Sequence, residues 1–198
     1  MPKDFLAQLK AEAAHCTACP LYKHATQTVF GEGPARAKIV FVGEQPGDQE
    51  DLTGKPFVGP AGQILNRALD DAGLERSHAY VTNAVKHFKF EPRGKRRIHS
   101  KPNSGEIQVC SHKWLVRELD LLEPNIVVAM GATAAQALAC KAMAIGKNRG
   151  HILQWPGGRR GLITVHPSYL LRIPNAADKE AEYKKFVHDL KLVAKLAV

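Results

Sequence analysis

Four short apolar runs, separated by stretches with helical periodicity, constrain the fold of this 198-residue chain more than any other feature. The runs occupy residues 38–43, 80–85, 125–130 and 161–165. Runs of this length that are bounded by charge, glycine or turn residues are typical of strands buried on both faces. The stretches 61–72 and 104–122 carry apolar residues at helical spacing. The alternation predicts an α/β fold, a three-layer α/β/α arrangement around a central four-stranded parallel sheet.

Three further helices complete the predicted architecture. The first covers 4–14 with Asp4 as its N-cap, an alanine-rich helix extends from Gly131 to about Ala144, and the last covers 177–197. The sequence has no internal repeat, no signal-like N-terminus and no apolar run near the roughly 20 residues of a membrane span. We therefore expect one domain over 1–198, a cytoplasmic monomer without a membrane partner.

The predicted sheet brings polar residues to one edge. In parallel sheets, ligands bind outside the carboxyl ends of the strands. Glu44 and Gln45 follow the first strand, Asn83 lies near the end of the second, and His166 follows the fourth. Because these strand ends share an edge, we expect the four side chains to converge on a ligand site.

Positive charge is concentrated in one predicted loop, at about 86–102. The formal net charge of +9 favours a polyanionic partner, and nucleic acid before a membrane surface. One acid, Glu91, stands in this segment against seven basic residues: Lys86, Lys89, Arg93, Lys95, Arg96, Arg97 and Lys101. Within this set we expect Lys95, Arg96 and Arg97 to contact phosphates.

Four of the polar or aromatic residues have two interpretations each. Asn83 is either a turn residue or an amide that reads a ligand through one acceptor and two donors. Phe57, in a loop rich in glycine and proline, either anchors that loop or stacks on a base. His166 is either structural or a hydrogen-bond donor to charge that develops on a leaving group. His99, which closes the basic run, is either a solvated loop residue or a nucleophile.

Cys16 and Cys19 form a C-x2-C pair, which in a cytoplasmic chain indicates a metal or a cluster before a disulfide. Zinc and an iron–sulfur cluster both suit this spacing. The remaining ligands would come from Cys110, Cys140, His15, His24 or His87. Cys110, in the first turns of a helix, suits a ligand better than Cys140, which is predicted to be a small buried core residue of the alanine-rich helix.

Six landmarks follow one another along about four-fifths of the chain. They are CTACPL at 16–21, VFGEG at 29–33, GEQPG at 43–47, GKPFVG at 54–59, TNAVK at 82–86 and HPSYLLR at 166–172. With them the chain resembles the family 4 uracil-DNA glycosylases, iron–sulfur enzymes of the uracil-DNA glycosylase superfamily. Gln45, His87 and the longer loop that ends in Lys95-Arg-Arg-Ile-His99 depart from the ordinary pattern of that family. These departures resemble the UdgX subgroup, whose members cross-link to uracil-containing DNA through the histidine of that loop.

The resemblance implies the uracil-DNA glycosylase fold, a cofactor and a partner. The cofactor is a structural [4Fe–4S] cluster with Cys16, Cys19, His87 and Cys110 as its ligands. Cys140 has no counterpart and is left as a core residue. The partner is uracil-containing DNA, single-stranded in the first place, with double-stranded DNA as the alternative.

The resemblance also implies roles for the residues at the sheet edge. A flipped uracil stacks on Phe57, and Asn83 reads its edge by accepting N3–H and donating to O4, a pattern that cytosine reverses. Gly43 and Asp48 belong to the same substrate site, and Arg172 joins the phosphate contacts.

The implied chemistry is uracil excision followed by covalent capture, in a single turnover. His166 stabilises the departing uracil anion, and His99 attacks the sugar while Glu44 holds its other ring nitrogen. Gln45 either positions Glu44 or contacts uracil. The alternatives are a glycosylase that turns over by hydrolysis, a noncatalytic iron–sulfur DNA-binding protein, and a zinc-stabilised nucleic-acid module.

Overall fold

The computed structural model describes residues 2–197, with side chains from residue 4 onward. The strands are β1 (Ile39–Gly43), β2 (Ala79–Asn83), β3 (Phe90–Arg93), β4 (Arg96–His99), β5 (Ile126–Met130), β6 (Ile152–Gln154) and β7 (Arg160–Thr164). Five of them form a central sheet in the order β2-β1-β5-β7-β6. β2, β1, β5 and β7 are parallel, as the sequence predicts. The fifth strand, β6, is antiparallel to β7 and escaped prediction because it has only three, mostly exposed residues.

Helices cover both faces of the sheet, which confirms the predicted α/β fold. They are α1 (Pro2–Ala14), α2 (Asp48–Thr53), α3 (Pro60–Asp71), α4 (Ser104–Cys110), α5 (Val116–Leu122), α6 (Ala132–Ala139), α7 (Ile145–Asn148), α8 (Pro167–Leu171) and α9 (Ala176–Leu196). Side chains that alternate along each strand supply two cores. Val40 and Val42 pack on the side of α1, α4, α5 and α6, whereas Ile39 and Phe41 pack on the side of α3, α8 and α9.

The predicted basic loop contains an antiparallel hairpin. β3 and β4 pair from Phe90 opposite His99 to Arg93 opposite Arg96, which leaves a two-residue turn at Gly94 and Lys95. Gly94 has φ of +59°, a conformation that glycine adopts without a steric penalty. The structure thus has a short hairpin within the predicted loop, with His99 at its base.

Three details of the helices differ from the sequence prediction. Asp4 lies inside α1, which begins at Pro2, and is therefore not an N-cap. The predicted helix over 104–122 is interrupted by a π-helical turn at Ser111–Leu115. The alanine-rich helix ends at Ala139, because Cys140 adopts a left-handed conformation with φ of +56°. Cys140 is consequently exposed, and its prediction as a buried core residue is wrong.

Candidate active site

A cavity of about 900 Å³ opens at the carboxyl ends of the parallel strands. Its walls include many of the residues singled out in the sequence: Glu44, Gln45, Asp48, Phe57, Asn83, His99, His166 and Arg172. The ends of β1, β2 and β7 bring Glu44, Asn83 and His166 to this cavity, as the strand-end rule predicts. His99 reaches the same cavity from the end of β4.

The His99 imidazole is paired with the carboxylate of Glu44. Nε2 of His99 lies 3.2 Å from Oε1 of Glu44, and half of the His99 side chain is exposed. The other carboxylate oxygen of Glu44 accepts a short hydrogen bond from the hydroxyl of Thr133, at the start of α6. With Nε2 of His99 facing Glu44, the second ring nitrogen, Nδ1, has no hydrogen-bond partner among the described residues, so its lone pair is available.

The Glu44 carboxyl has a pKa below its ordinary value. Burial alone would raise this pKa, but the hydrogen bonds from His99 and Thr133 favour the charged form and outweigh it. Glu44 is therefore ionised at neutral pH and can stabilise positive charge on His99.

Gln45 is buried and binds the base of the β3–β4 hairpin. Its Nε2 donates to the carbonyls of Lys89 and Ser100, each at 3.1 Å. Its Oε1 accepts from the backbone N–H of Lys89 at 3.0 Å. Both ends of its amide are occupied, so Gln45 holds the segment that carries His99, a role that sequence reasoning did not anticipate.

Arg97 connects the hairpin to α2. Its Nε donates to Asp48 at 2.6 Å, and its Nη1 donates to Asp51 at 2.6 Å. The guanidinium also lies over the rings of Phe88 and Phe90, 5.5 and 5.1 Å from their centroids. The guanidinium of Arg97, which we expected to bind phosphate, is thus engaged within the protein. The carboxylate of Asp48, which we expected to bind substrate, is engaged by Arg97.

The other predicted phosphate ligands are exposed. Lys95 and Arg96 lie at the tip of the hairpin, outside the cavity. Arg172 follows α8 and lines the cavity, where its Nη1 donates to Ser168 Oγ at 3.4 Å. Lys86, counted with the basic loop, is instead fully buried and paired with Glu118.

Asn83 presents a buried acceptor to the cavity. Its Oδ1 is buried and has no hydrogen-bond partner among the described residues, which is costly unless a ligand supplies a donor. Gly43 packs directly against it, since a Cβ there would collide with Oδ1 and lie 2.7 Å from the Phe57 ring. Gly43 therefore allows the amide and the ring to approach each other.

Phe57 is held in a strained loop beside the cavity. Its φ of +57° is unusual for a residue with a side chain, and such strain persists where the surroundings enforce it. Buried Glu50 supplies that constraint, because its carboxylate accepts the N–H of Gly47 at 3.0 Å and of Gly59 at 2.7 Å. The ring centroid lies 6.0 Å from that of His166.

His166 is a neutral hydrogen-bond donor. Burial lowers its pKa to about 4, in spite of the opposing charge of Glu44. Its Nδ1 accepts the N–H of Ser168 at 3.2 Å and lies 2.8 Å from the Ser168 hydroxyl, which accepts from Arg172 and can donate its own proton to Nδ1. The remaining proton of the neutral ring must then be on Nε2, which can donate to a ligand.

Three cysteines, two from the segment after α1 and one from the end of α4, form a buried cluster. Cys16, Cys19 and Cys110 are all buried, and each lies within electrostatic reach of another. Cys16 Sγ accepts from Trp114 Nε1 at 3.1 Å, and Cys110 Sγ accepts from the N–H of Lys86 at 3.2 Å. Burial raises the pKa of Cys110 to about 12, so this thiol is not a free nucleophile.

The donor chemistry of this cluster suits iron–sulfur ligation. N–H groups that approach cysteine sulfurs are a common feature of such sites. His87 is buried next to Lys86, and burial lowers its pKa, which keeps the imidazole in the neutral form that binds metals. Within residues 2–197, no group of three or more His, Cys, Asp or Glu side chains is arranged to hold a single metal ion.

Sequence reasoning missed Thr133, Glu50 and the partner of Lys86. Thr133 follows the third predicted strand by three residues, so the strand-end rule, applied to all four strands, would have found it. Glu50 and Glu118 carry no signal in sequence, because their importance depends on burial beside backbone donors from distant segments.

Comparisons with known proteins agree with this geometry. The family model of the uracil DNA glycosylase superfamily matches residues 30–191. A type-4 uracil-DNA glycosylase of Thermotoga maritima is 42% identical over 158 residues, 79% of this chain and 78% of the relative. A type-4 uracil-DNA glycosylase of Sulfurisphaera tokodaii is 34% identical over 200 residues, 97% of this chain and 87% of the relative.

A third relative covers nearly the whole chain. A type-4 uracil-DNA glycosylase of Archaeoglobus fulgidus is 34% identical over 190 residues, 92% of both chains. Across the part of the chain that the structure covers, no helix combines the length and apolarity that a membrane crossing requires. The family match and the identities over most of each chain show that this chain belongs to the uracil-DNA glycosylase superfamily.

Proposed function

We propose that this protein excises uracil from DNA and then captures the abasic sugar covalently through His99, as UdgX-type members of the superfamily do. The observation that carries the proposal is the pairing of His99 with Glu44 in the wall of the cavity that Asn83 and His166 line. A histidine in this position competes directly with water for the sugar carbon.

Recognition requires that uracil leave the DNA stack and enter the cavity. Phe57 provides a ring for stacking, and the Oδ1 of Asn83, which no described residue contacts as a donor, accepts N3–H of uracil. The amide nitrogen of Asn83 then donates to O4. Cytosine offers no donor at N3 and a donor instead of an acceptor at C4, so it leaves both amide atoms without partners.

Bond cleavage places the electron pair of the C1′–N1 bond on uracil and leaves positive charge on the sugar. The Nε2–H of neutral His166 donates to the uracil anion, which is electrostatic stabilisation of a leaving group. The pKa of about 4 for His166 keeps this donor neutral across the physiological range.

Capture follows when the free lone pair of His99 forms a bond to C1′. The imidazole becomes an imidazolium, and Glu44 stabilises this charge through the N–H that faces its Oε1. A nitrogen held beside the reacting carbon has a much higher effective concentration than free water. No water enters the product, and uracil leaves with the electron pair of the broken bond.

The remaining predicted residues support this chemistry from outside the reacting atoms. Lys95, Arg96 and Arg172 contact phosphates of the bound strand, for which single-stranded DNA is the first expectation. Cys16, Cys19, His87 and Cys110 would hold a [4Fe–4S] cluster, which would tie the N-terminal segment to the elements next to the DNA site.

The test is incubation with a uracil-containing oligonucleotide, followed by a boiled denaturing gel and an assay of free uracil. We expect a shifted band with the wild type and with His78→Ala, a matched change of a surface histidine that is 76% exposed. His99→Ala should release uracil without a shifted band. A shifted band with His99→Ala would overturn the assignment of the nucleophile, and uracil release without any shifted band would identify a hydrolytic glycosylase.

A further inference from the structure

A fully buried ion pair lies behind the cavity, outside the residues assigned to the reaction. The ammonium of Lys86 and the carboxylate of Glu118 are in direct contact, and both side chains have no exposed surface. Burying two charges is costly and is tolerated only where hydrogen bonds satisfy them. The surroundings of this pair therefore indicate what it holds in place.

Besides Lys86, three donors from two segments, the loop at Gly31 and strand β2, bind the carboxylate of Glu118. It accepts from the N–H of Gly31 at 3.2 Å, from the hydroxyl of Tyr80 at 2.9 Å and from the hydroxyl of Thr82 at 3.1 Å. Glu118 belongs to α5, so these bonds fix β2 to the helical layer behind it.

The ammonium of Lys86 is directed at the end of β2. Besides Glu118, Nζ donates to Thr82 Oγ1 at 2.6 Å and to the backbone carbonyl of Asn83 at 2.9 Å. The backbone N–H of Lys86 donates to Cys110 Sγ. Lys86 thus joins the peptide of Asn83 to the cysteine cluster.

The side chain of Asn83 has little else to orient it. In the described part of the chain its amide forms no hydrogen bond, and its Oδ1 is a buried acceptor without a donor. Its direction is set by the backbone that carries it and by close packing against Gly43. The contact between Lys86, which does not line the cavity, and the Asn83 carbonyl fixes this backbone.

We propose that Lys86 is a positioning residue for base recognition, with its ammonium, neutralised by Glu118, holding the Asn83 carbonyl so that the amide faces uracil. This inference rests on the proposed role of Asn83 in reading uracil. From its place beside the basic loop, Lys86 would be expected to bind phosphate. The inference gives it a role in substrate specificity.

The test is a double-mutant cycle between the ion pair and Asn83 in the full chain, purified with its cluster. Lys86→Met alone leaves Glu118 charged and unpaired, so the main variant is Lys86→Met/Glu118→Gln, which keeps an acceptor for Tyr80 and Thr82. It is compared with Asn83→Ala and with the triple variant. Each protein is assayed, in excess over DNA, for the single-turnover rate of uracil release and for affinity to an oligonucleotide with a tetrahydrofuran abasic analogue.

We expect the pair variant to release uracil about tenfold more slowly, because small displacements of a positioning group are costly, while its affinity for the base-free analogue stays within twofold. In the Asn83→Ala background the pair substitution should cause no further loss, since both act on one contact. Tyr80→Phe is the matched control. It removes one hydrogen bond from the same Glu118 without touching Asn83, and should leave the rate unchanged.

The contradicting results are distinct from one another. If Asn83→Ala does not slow uracil release, the proposed base-reading role of Asn83 fails and the inference on Lys86 fails with it. If Asn83→Ala slows release but the pair substitution slows it further by the same factor in both backgrounds, only the role of Lys86 is overturned. An equal loss in Tyr80→Phe would show that the network contributes rigidity alone.

Discussion

At the scale of single residues, the site depends on polar side chains that use one atom to bind the protein and leave another atom for the substrate or for His99. Glu44 divides its two oxygens between Thr133, which is fixed at the start of α6, and His99, which faces the cavity. Within the described part of the chain, Asn83 keeps one buried oxygen without a hydrogen-bond partner. His166 uses Nδ1 within the protein and reserves Nε2–H for a ligand. Glu44 and His166 are thereby oriented before a substrate enters.

Thr133→Val should show how much the hydroxyl of Thr133 contributes to keeping Glu44 ionised. The hydroxyl is one of the groups that lower the pKa of Glu44, so its removal raises that pKa. The function of ionised Glu44 is lost as pH falls through its pKa, and the acid limb of the adduct-formation rate should therefore move to higher pH. At neutral pH we expect a loss of about tenfold, the value of one hydrogen bond to a charged group.

The pH profile is measured by quenched-flow or manual sampling on denaturing gels, with Thr133→Ser as the control that keeps the hydroxyl. Thr133→Ser should follow the wild-type profile. An unchanged profile for Thr133→Val would mean that this hydroxyl does not influence the carboxylate.

Single residues also show what the sequence can and cannot reveal. Glu44, Asn83 and His166 were predictable, because strand ends are visible in sequence and share one edge of a parallel sheet. The burial of Lys86 was not predictable, because nothing in the sequence distinguishes a lysine that contacts phosphate from one that pairs with a buried carboxylate. Gln45 was found as a departure from a family pattern, but its partners are backbone groups that only the fold brings near.

At the scale of elements, the β3–β4 hairpin is the part that distinguishes this site. Gln45 binds three backbone groups at the base of the hairpin, and Arg97 connects the hairpin to Asp48 and Asp51 of α2. The sequence predicted the basic segment and its terminal histidine but not the hairpin, since a two-residue turn and two four-residue strands leave little periodicity. His99 is consequently carried by an anchored element.

Gln45→Met should loosen this element while it preserves the volume of the side chain. Three backbone groups lose their partner, and each unmade bond costs about 1–3 kcal/mol where it stays buried. We expect faster hydrogen exchange at residues 89–100 and a higher ratio of free uracil to covalent adduct, because water gains access while His99 is less well placed. The ratio is obtained from the same reaction by chromatography and gel.

Gln63→Met, at an exposed position of α3, is the matched control and should change neither quantity. If Gln45→Met lowers uracil release and capture by the same factor, Gln45 acts on excision itself and not on the placement of His99.

At the scale of the whole molecule, three exposed basic side chains lie on the same side of the sheet as the cavity. The net charge of +9 includes the exposed Lys95 and Arg96 at the hairpin tip and Arg172 at the cavity wall. The opposite edge of the sheet also carries lysines, so total charge alone does not identify the DNA-binding side. The salt dependence of DNA affinity distinguishes basic residues that contact phosphates from those on the opposite edge.

Lys95→Ala/Arg96→Ala should reduce the steepness with which DNA affinity falls with salt. Each lost phosphate contact lowers the slope of log affinity against log salt concentration by about 0.7 for a single strand, or about 1.4 for both. The control is Lys191→Ala/Lys195→Ala near the end of α9, where the Ala197 carbonyl accepts from Asn125 at the start of β5. An equal change of slope in the control would show diffuse attraction in place of a hairpin contact.

The central claim is that His99 replaces water as the group that attacks the sugar. Intact-protein mass spectrometry after reaction with a uracil-containing oligonucleotide tests it most directly. We expect a species whose mass equals protein plus oligonucleotide minus one uracil, without an added water, and tandem fragmentation that places the sugar on His99. Unmodified protein beside an oligonucleotide that has exchanged uracil for a hydroxyl would contradict the claim, as would an adduct on any other residue.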